Sequence, residues 1–74
     1  MLLGKVKWFS DARGYGFIMH DEVEYFAHYK EIKSESGFKK LKDGEYVEFL
    51  PSKSDKGMLA TSIRQVDPTL WAEF

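Results

Sequence analysis

The sequence predicts an all-β fold, a small closed or nearly closed antiparallel barrel of five short strands. Three observations lead there. No segment keeps a helical repeat of apolar residues for long, because glycine, β-branched and aromatic residues recur every few positions. Five short runs instead alternate side chains with a period of two, and turn-forming residues separate them. At 74 residues the chain also has room for one hydrophobic core and not for two.

Leu3 to Ser10 is the first expected strand, and Asp11-Ala12-Arg13-Gly14 the turn after it, with Gly14 supplying a positive φ. Tyr15 to His20 follows as the second strand. Within it Tyr15, Phe17 and Met19 share one face, and Gly16 and Ile18 the other. Asp21-Glu22 is a short acidic connection to a third strand, Val23 to Tyr29, where Phe26 and His28 oppose Tyr25 and Ala27. Lys30 to Gly44 has no sustained period and reads as a long loop, with one helical turn near Lys30 to Ile32. Glu45 to Leu50 is the fourth strand, ended by Pro51, which cannot donate to a central ladder. Ser52 to Gly57 turns the chain into a fifth strand, Met58 to Val66, with Leu59, Thr61 and Ile63 alternating against Ala60, Ser62 and Arg64. The expected core is Val6, Ile18, Val47, Phe49, Leu59, Ile63 and Val66. Residues 1–66 thus form one barrel, and Asp67-Pro68 opens a tail over 67–74.

Composition narrows the function. Hydrophobic residues are 43% and charged residues 31%, which excludes wholesale disorder and fibrous repeats. The absence of cysteine excludes a disulfide framework, a thiolate zinc site and a cysteine nucleophile. No apolar run approaches the roughly 20 residues of a spanning helix or the roughly 7–15 of a secretory signal, so a cytoplasmic protein with no membrane partner is expected. Net charge is −1, and no global excess of base announces a polyanion. Charge is nonetheless segregated: Lys5, Lys7 and Arg13 dominate residues 1–18, acids dominate 19–36, and Lys39, Lys40 and Lys42 dominate 37–44. Those three lysines read equally well as phosphate contacts or as solubilising charge.

The informative number is the aromatic content, 16%, with eight of the twelve rings in the first 38 residues. Half the side chains of a surface strand point outward, so some of these rings must face solvent. Tyr15 and Phe17, two positions apart on one strand, would make adjacent stacking platforms for bases, with Gly14 and Gly16 leaving room for the ligand. Phe26 and His28 on the next strand would extend the patch, edged by Lys7 and Arg13 for phosphates. His28 as a metal ligand has only His20 for company, and no nucleophile accompanies the acids, so neither a metal or other cofactor nor an enzyme is expected.

Four ordered motifs carry a resemblance: Gly4-Lys5-Val6-Lys7-Trp8-Phe9, Arg13-Gly14-Tyr15-Gly16-Phe17-Ile18, Tyr25-Phe26-Ala27-His28-Tyr29 and Gly37-Phe38. Together the chain resembles the bacterial cold-shock proteins over residues 1–66. The resemblance implies a five-stranded antiparallel oligonucleotide-binding (OB-fold) barrel that binds single-stranded RNA and DNA with little sequence preference, acting as an RNA chaperone or a transcription or translation modulator. Carried over by position, it adds Trp8, Phe9, Tyr29 and Phe38 to Tyr15, Phe17, Phe26 and His28, with Lys7 and Arg13 as basic neighbours. A different class of function, a β-barrel that binds protein through the same rings, is the alternative.

The chain departs from the family pattern in places. Tyr25 and Ala27 replace the two valines that usually flank the phenylalanine, the connection from Met19 to Glu24 is short and acidic, and Gly57-Met58 stands for Gly-Pro. Strict alternation would put Trp8 on the face of Val6, so exposure of Trp8 requires a bulge or strong twist between them. In the tail, Leu70, Trp71 and Phe74 call for burial. Docking on the chain's own barrel is the expectation, giving a monomer; a dimer through the tail and a lid over the rings are the alternatives.

Overall fold

The structure is a computed structural model that describes residues 1–33 and 40–66. Phe38, Lys39 and the whole 67–74 tail lie outside the described residues. Five strands, β1 (Leu2–Ser10), β2 (Tyr15–His20), β3 (Val23–His28), β4 (Tyr46–Ser54) and β5 (Gly57–Gln65), close into a barrel in the order β1-β2-β3-β5-β4. A single 3-10 turn, Tyr29–Glu31, follows β3. This is the OB-fold topology. One joint, β3 to β5, is parallel, through Phe26↔Leu59 and Ala27↔Ala60. The reason is arithmetic: strand directions cannot alternate all the way round a ring with an odd number of members. No helix among the described residues is long and apolar enough to cross a membrane.

The turns follow their residues. Gly14 has φ +78° and its N–H donates to Ser10 O at 2.8 Å, closing the turn into β2. Asp21 and Glu22 both take positive φ, 48° and 67°, the conformation of the two-residue hairpin whose twist matches the strands it joins.

Three expectations about the second half are corrected. β4 does not stop before Pro51 but runs through it to Ser54. Pro51 pairs with Ala60 on β5, whereas β1 pairing ends at Leu2↔Phe49, so among the described residues the other edge of β4 has no partner there to miss an N–H. The following turn shrinks to Asp55-Lys56, with Ser54 Oγ accepting from Lys56 N at 3.2 Å. β5, finally, does not keep one alternation. The register slips opposite Glu48 to Leu50, and Ser62 has φ +50°, so Ala60 and Ile63 both face inward while Leu59 stays half-buried.

The core is Val6, Ile18, Tyr25, Ala27, Ile32, Leu41, Val47, Phe49, Ala60 and Ile63. Leu59 and Val66 drop out of the expected list, being half-buried, and the switch of face at Ser62 explains Leu59. Tyr25 and Ala27 are both inside. The Tyr25 ring packs on Phe49 with centroids 4.9 Å apart, and Ala27 sits in a rung of small residues between Gly16 and Ala60.

That rung gives Gly16 a different role from the one its position suggests. It is buried, and a Cβ there would lie 2.1 Å from Trp8 O and 2.6 Å from Phe9 Cα, so the glycine makes room for β1 and not for a ligand. Gly16→Ala is therefore expected to destabilise the barrel by about 1–3 kcal/mol or more, because the obstructing atoms are backbone and cannot rotate away. Thermal unfolding checks it: the melting temperature should fall by about 4–8 °C per kcal/mol.

Candidate nucleic-acid interface

Backbone register decides which rings meet. β1 carries an extra residue at Lys7, since Val6 faces Ile18 while Trp8 faces Phe17, the next residue along β2. This is the bulge that the alternation of Val6 and Trp8 requires, and it turns the indole to the outer surface. Trp8, Phe17 and Phe26 then occupy one rung across β1, β2 and β3, and Tyr15 and His28 face each other one step along.

The rings form a continuous array. Trp8 lies 5.9 Å from Tyr15 and 5.5 Å from Phe17, centroid to centroid. Phe26 lies 5.5 Å from Tyr15 and 5.8 Å from Phe17. His28 continues the line at 6.3 Å from Phe26, and Tyr29, the first residue of the 3-10 turn, stands 4.7 Å beyond it. All six are half-buried or exposed. They lean on one another edge to face or tilted, an arrangement that suits the aromatic quadrupole and leaves ring surface to solvent.

His28 also caps the 3-10 turn. Its Nδ1 accepts from Lys30 N at 3.2 Å, so in the neutral ring the proton is on Nε2, which is left to donate. Gly14 brings the far end together: a Cβ there would lie 2.9 Å from Tyr29 Cδ1, and Tyr29 N donates to Gly14 O at 2.9 Å.

Not every candidate joins the array. Phe9 is half-buried and packs against the core, over Gly16, while its N–H donates to Asp43 Oδ1 at 3.1 Å. Phe38 is outside the described residues. Arg13 is exposed in the turn between β1 and β2, and Lys7 is exposed but ion-paired with Glu24. Lys40 is likewise paired, its Nζ 3.5 Å from Asp11 Oδ2. His20 and His28 stand at opposite ends of the β2–β3 ladder, opposite Val23 and Tyr15, which separates the two imidazoles.

Sequence reasoning passed over two positions beside the rings. Leu59, half-buried, is the β5 partner of Phe26, but the parallel joint that brings it there has no local signal. Glu24 reads in sequence as part of an acidic connection. It lies two residues before Phe26 on the outward face of β3, which the period of that strand makes legible in retrospect.

Comparison with known proteins agrees with this geometry. Residues 2–66 match the model of the 'Cold-shock' DNA-binding domain. The cold shock-like protein of Thermotoga maritima is 46% identical over 65 residues, covering 86% of this chain and 97% of that protein. Cold shock protein CapB of Pseudomonas syringae pv. tomato is 42% identical over 64 residues, covering 85% of this chain and 91% of the relative. Among solved structures, drosophila Unr CSD456 superposes with a TM-score of 0.71 at 20% identity, over 90% of this chain and 27% of that one, a likeness of fold. With its barrel closed in this order, and with relatives matching it nearly end to end, the chain belongs to the cold-shock domain family.

Proposed function

We propose that this protein binds single-stranded RNA and DNA with low sequence specificity, without catalysis, by stacking bases on Trp8, Tyr15, Phe17, Phe26, His28 and Tyr29. The observation that carries the proposal is the unbroken array of six rings on one face of the barrel. Every base has a π face, so a row of rings accepts any unpaired sequence, and each stacked base contributes about 1–3 kcal/mol. A duplex hides those faces.

The consequence is melting by mass action. A protein that binds the open strand alone stabilises it by RT ln(1 + [L]/Kd), about 2.7 kcal/mol for each site at 100 Kd, and needs no ATP. That is enough to open weak RNA hairpins, the work of an RNA chaperone or of a transcription or translation modulator.

Titration with a short pyrimidine-rich DNA strand tests the proposal through Trp8, whose fluorescence should change on stacking. A saturable change with single strand and little with duplex is the expected result. No change with either strand would leave the rings to a protein partner. Salt gives a further prediction. With two of the nearby lysines already held by acids, about two to four phosphate contacts remain, so log K against log[salt] should have a slope of about −1.5 to −3. A slope near −6 would mean that phosphate contacts, not stacking, dominate.

A further inference from the structure

Two ion pairs stand at opposite ends of the ring array. Lys7, beside Trp8, reaches across β2 to Glu24 on β3, while Lys40 meets Asp11 in the turn after β1. In the ladder, the rung next to Phe17 and Phe26 on that side ends in Met19↔Glu24, and Asp11 follows Ser10, which faces Tyr15. The four side chains are between 42% and 61% exposed. A ligand lying along the rings therefore meets each lysine with an acid already on it.

We propose that Glu24 is a specificity determinant of this surface. By holding Lys7 it competes with ligand phosphate, and so favours unpaired bases over duplex; Asp11 does the same for Lys40 at the other end. The proposal rests on the stacking function proposed above.

The physical argument concerns what a phosphate gains at Lys7. Neutralising a phosphate with a free lysine releases condensed counterions, and that release supplies most of the affinity for a polyanion. Where the lysine is already paired, the phosphate must displace Glu24, and the freed carboxylate then stands uncompensated beside it. Little strand charge is neutralised and few counterions leave. Duplex depends on that electrostatic gain, because its bases are not available to the rings. A single strand keeps its stacking energy. A contact at Lys7 releases about 0.9 counterion from duplex against about 0.7 from single strand, so blocking it costs duplex the larger factor, most of all at low salt.

The test is Glu24→Gln in the full chain, compared with the parent by Trp8 fluorescence against single-stranded and duplex DNA of the same sequence at several salt concentrations. Because the pair is exposed, the melting temperature should move little. Single-strand affinity should rise by about 1.5- to 5-fold at low salt, the size of an exposed ion pair. Its salt slope should steepen by about 0.7, one phosphate contact, and duplex affinity should rise by a larger factor.

Two controls separate pairing from net charge. Glu22→Gln makes the same change of charge in the neighbouring turn, on a side chain without an ion-pair partner among the described residues, and should leave the slope unchanged. Adding Lys7→Gln to Glu24→Gln should return the slope to the parent value. An unchanged slope and an unchanged preference for single strand in Glu24→Gln would overturn the proposal, as would an equal effect of Glu22→Gln. If the parent itself gave no single-strand signal, the stacking function would fail first, and the two failures are thereby told apart.

Discussion

Phe17→Ala is expected to weaken binding of a short pyrimidine-rich strand by about 1–3 kcal/mol, roughly five- to 150-fold in Kd. Phe17 lies in the middle of its rung, 5.5 Å from Trp8 and 5.8 Å from Phe26, so its removal takes one stacking face and leaves a gap between two others. The fold should survive. The lost ring contacts are one tilted and one edge-to-face pair, worth about 0.5–1.5 kcal/mol each, on a half-buried side chain and not in the core. Fluorescence titration and thermal melting, run on the same samples, check both parts. Unchanged affinity with a collapsed melting temperature would make Phe17 a core ring and remove it from the interface.

Phe49→Ala should do the reverse, costing about 3–5 kcal/mol of stability with no direct effect on the binding face. Phe49 is fully buried, and its ring meets Tyr25 at 4.9 Å and His20 at 6.4 Å. It also lies tight under β1, where a Cβ on Gly4 would be 2.8 Å from its ring. A domain of 74 residues has about 4–11 kcal/mol to lose in all, so the variant sits near its unfolding threshold. Its melting temperature should drop by about 12–40 °C. Saturating single strand should restore part of that loss, because binding to the folded state shifts the equilibrium back. A drop below about 5 °C would contradict the placement of Phe49 at the centre of the core.

These two substitutions mark where the sequence was legible. Phe17 and Phe49 both sit in strands with a clean period of two, and each was assigned to its face from that alternation. For Trp8 the two signals conflict, since the resemblance implies exposure where strict alternation forbids it. The bulge at Lys7 reconciles the two. The same resemblance implies a binding role for Phe9, which pairs with Gly16 and packs, partly buried, against the core. Where a bulge falls is set by how two strands fit against each other, so neither strand's own pattern contains it.

The same physics divides the rest of the molecule. Local preferences, which act within a few residues, determined five strands, the positive φ of Gly14, and the outward pairs Tyr15 with Phe17 and Phe26 with His28. Tertiary structure decided what depends on partners far along the chain. It let β4 run through Pro51 beyond the end of its pairing with β1, reversed the faces of β5 at Ser62, and joined β3 to β5 in parallel to close an odd-numbered ring. It also set Glu24 against Lys7, 17 positions apart in sequence, by pairing β1 and β3 with the two edges of β2. Sequence carries the energy of each residue with its neighbours in the chain, whereas pairing across strands depends on register, and a shift of one residue changes every partner.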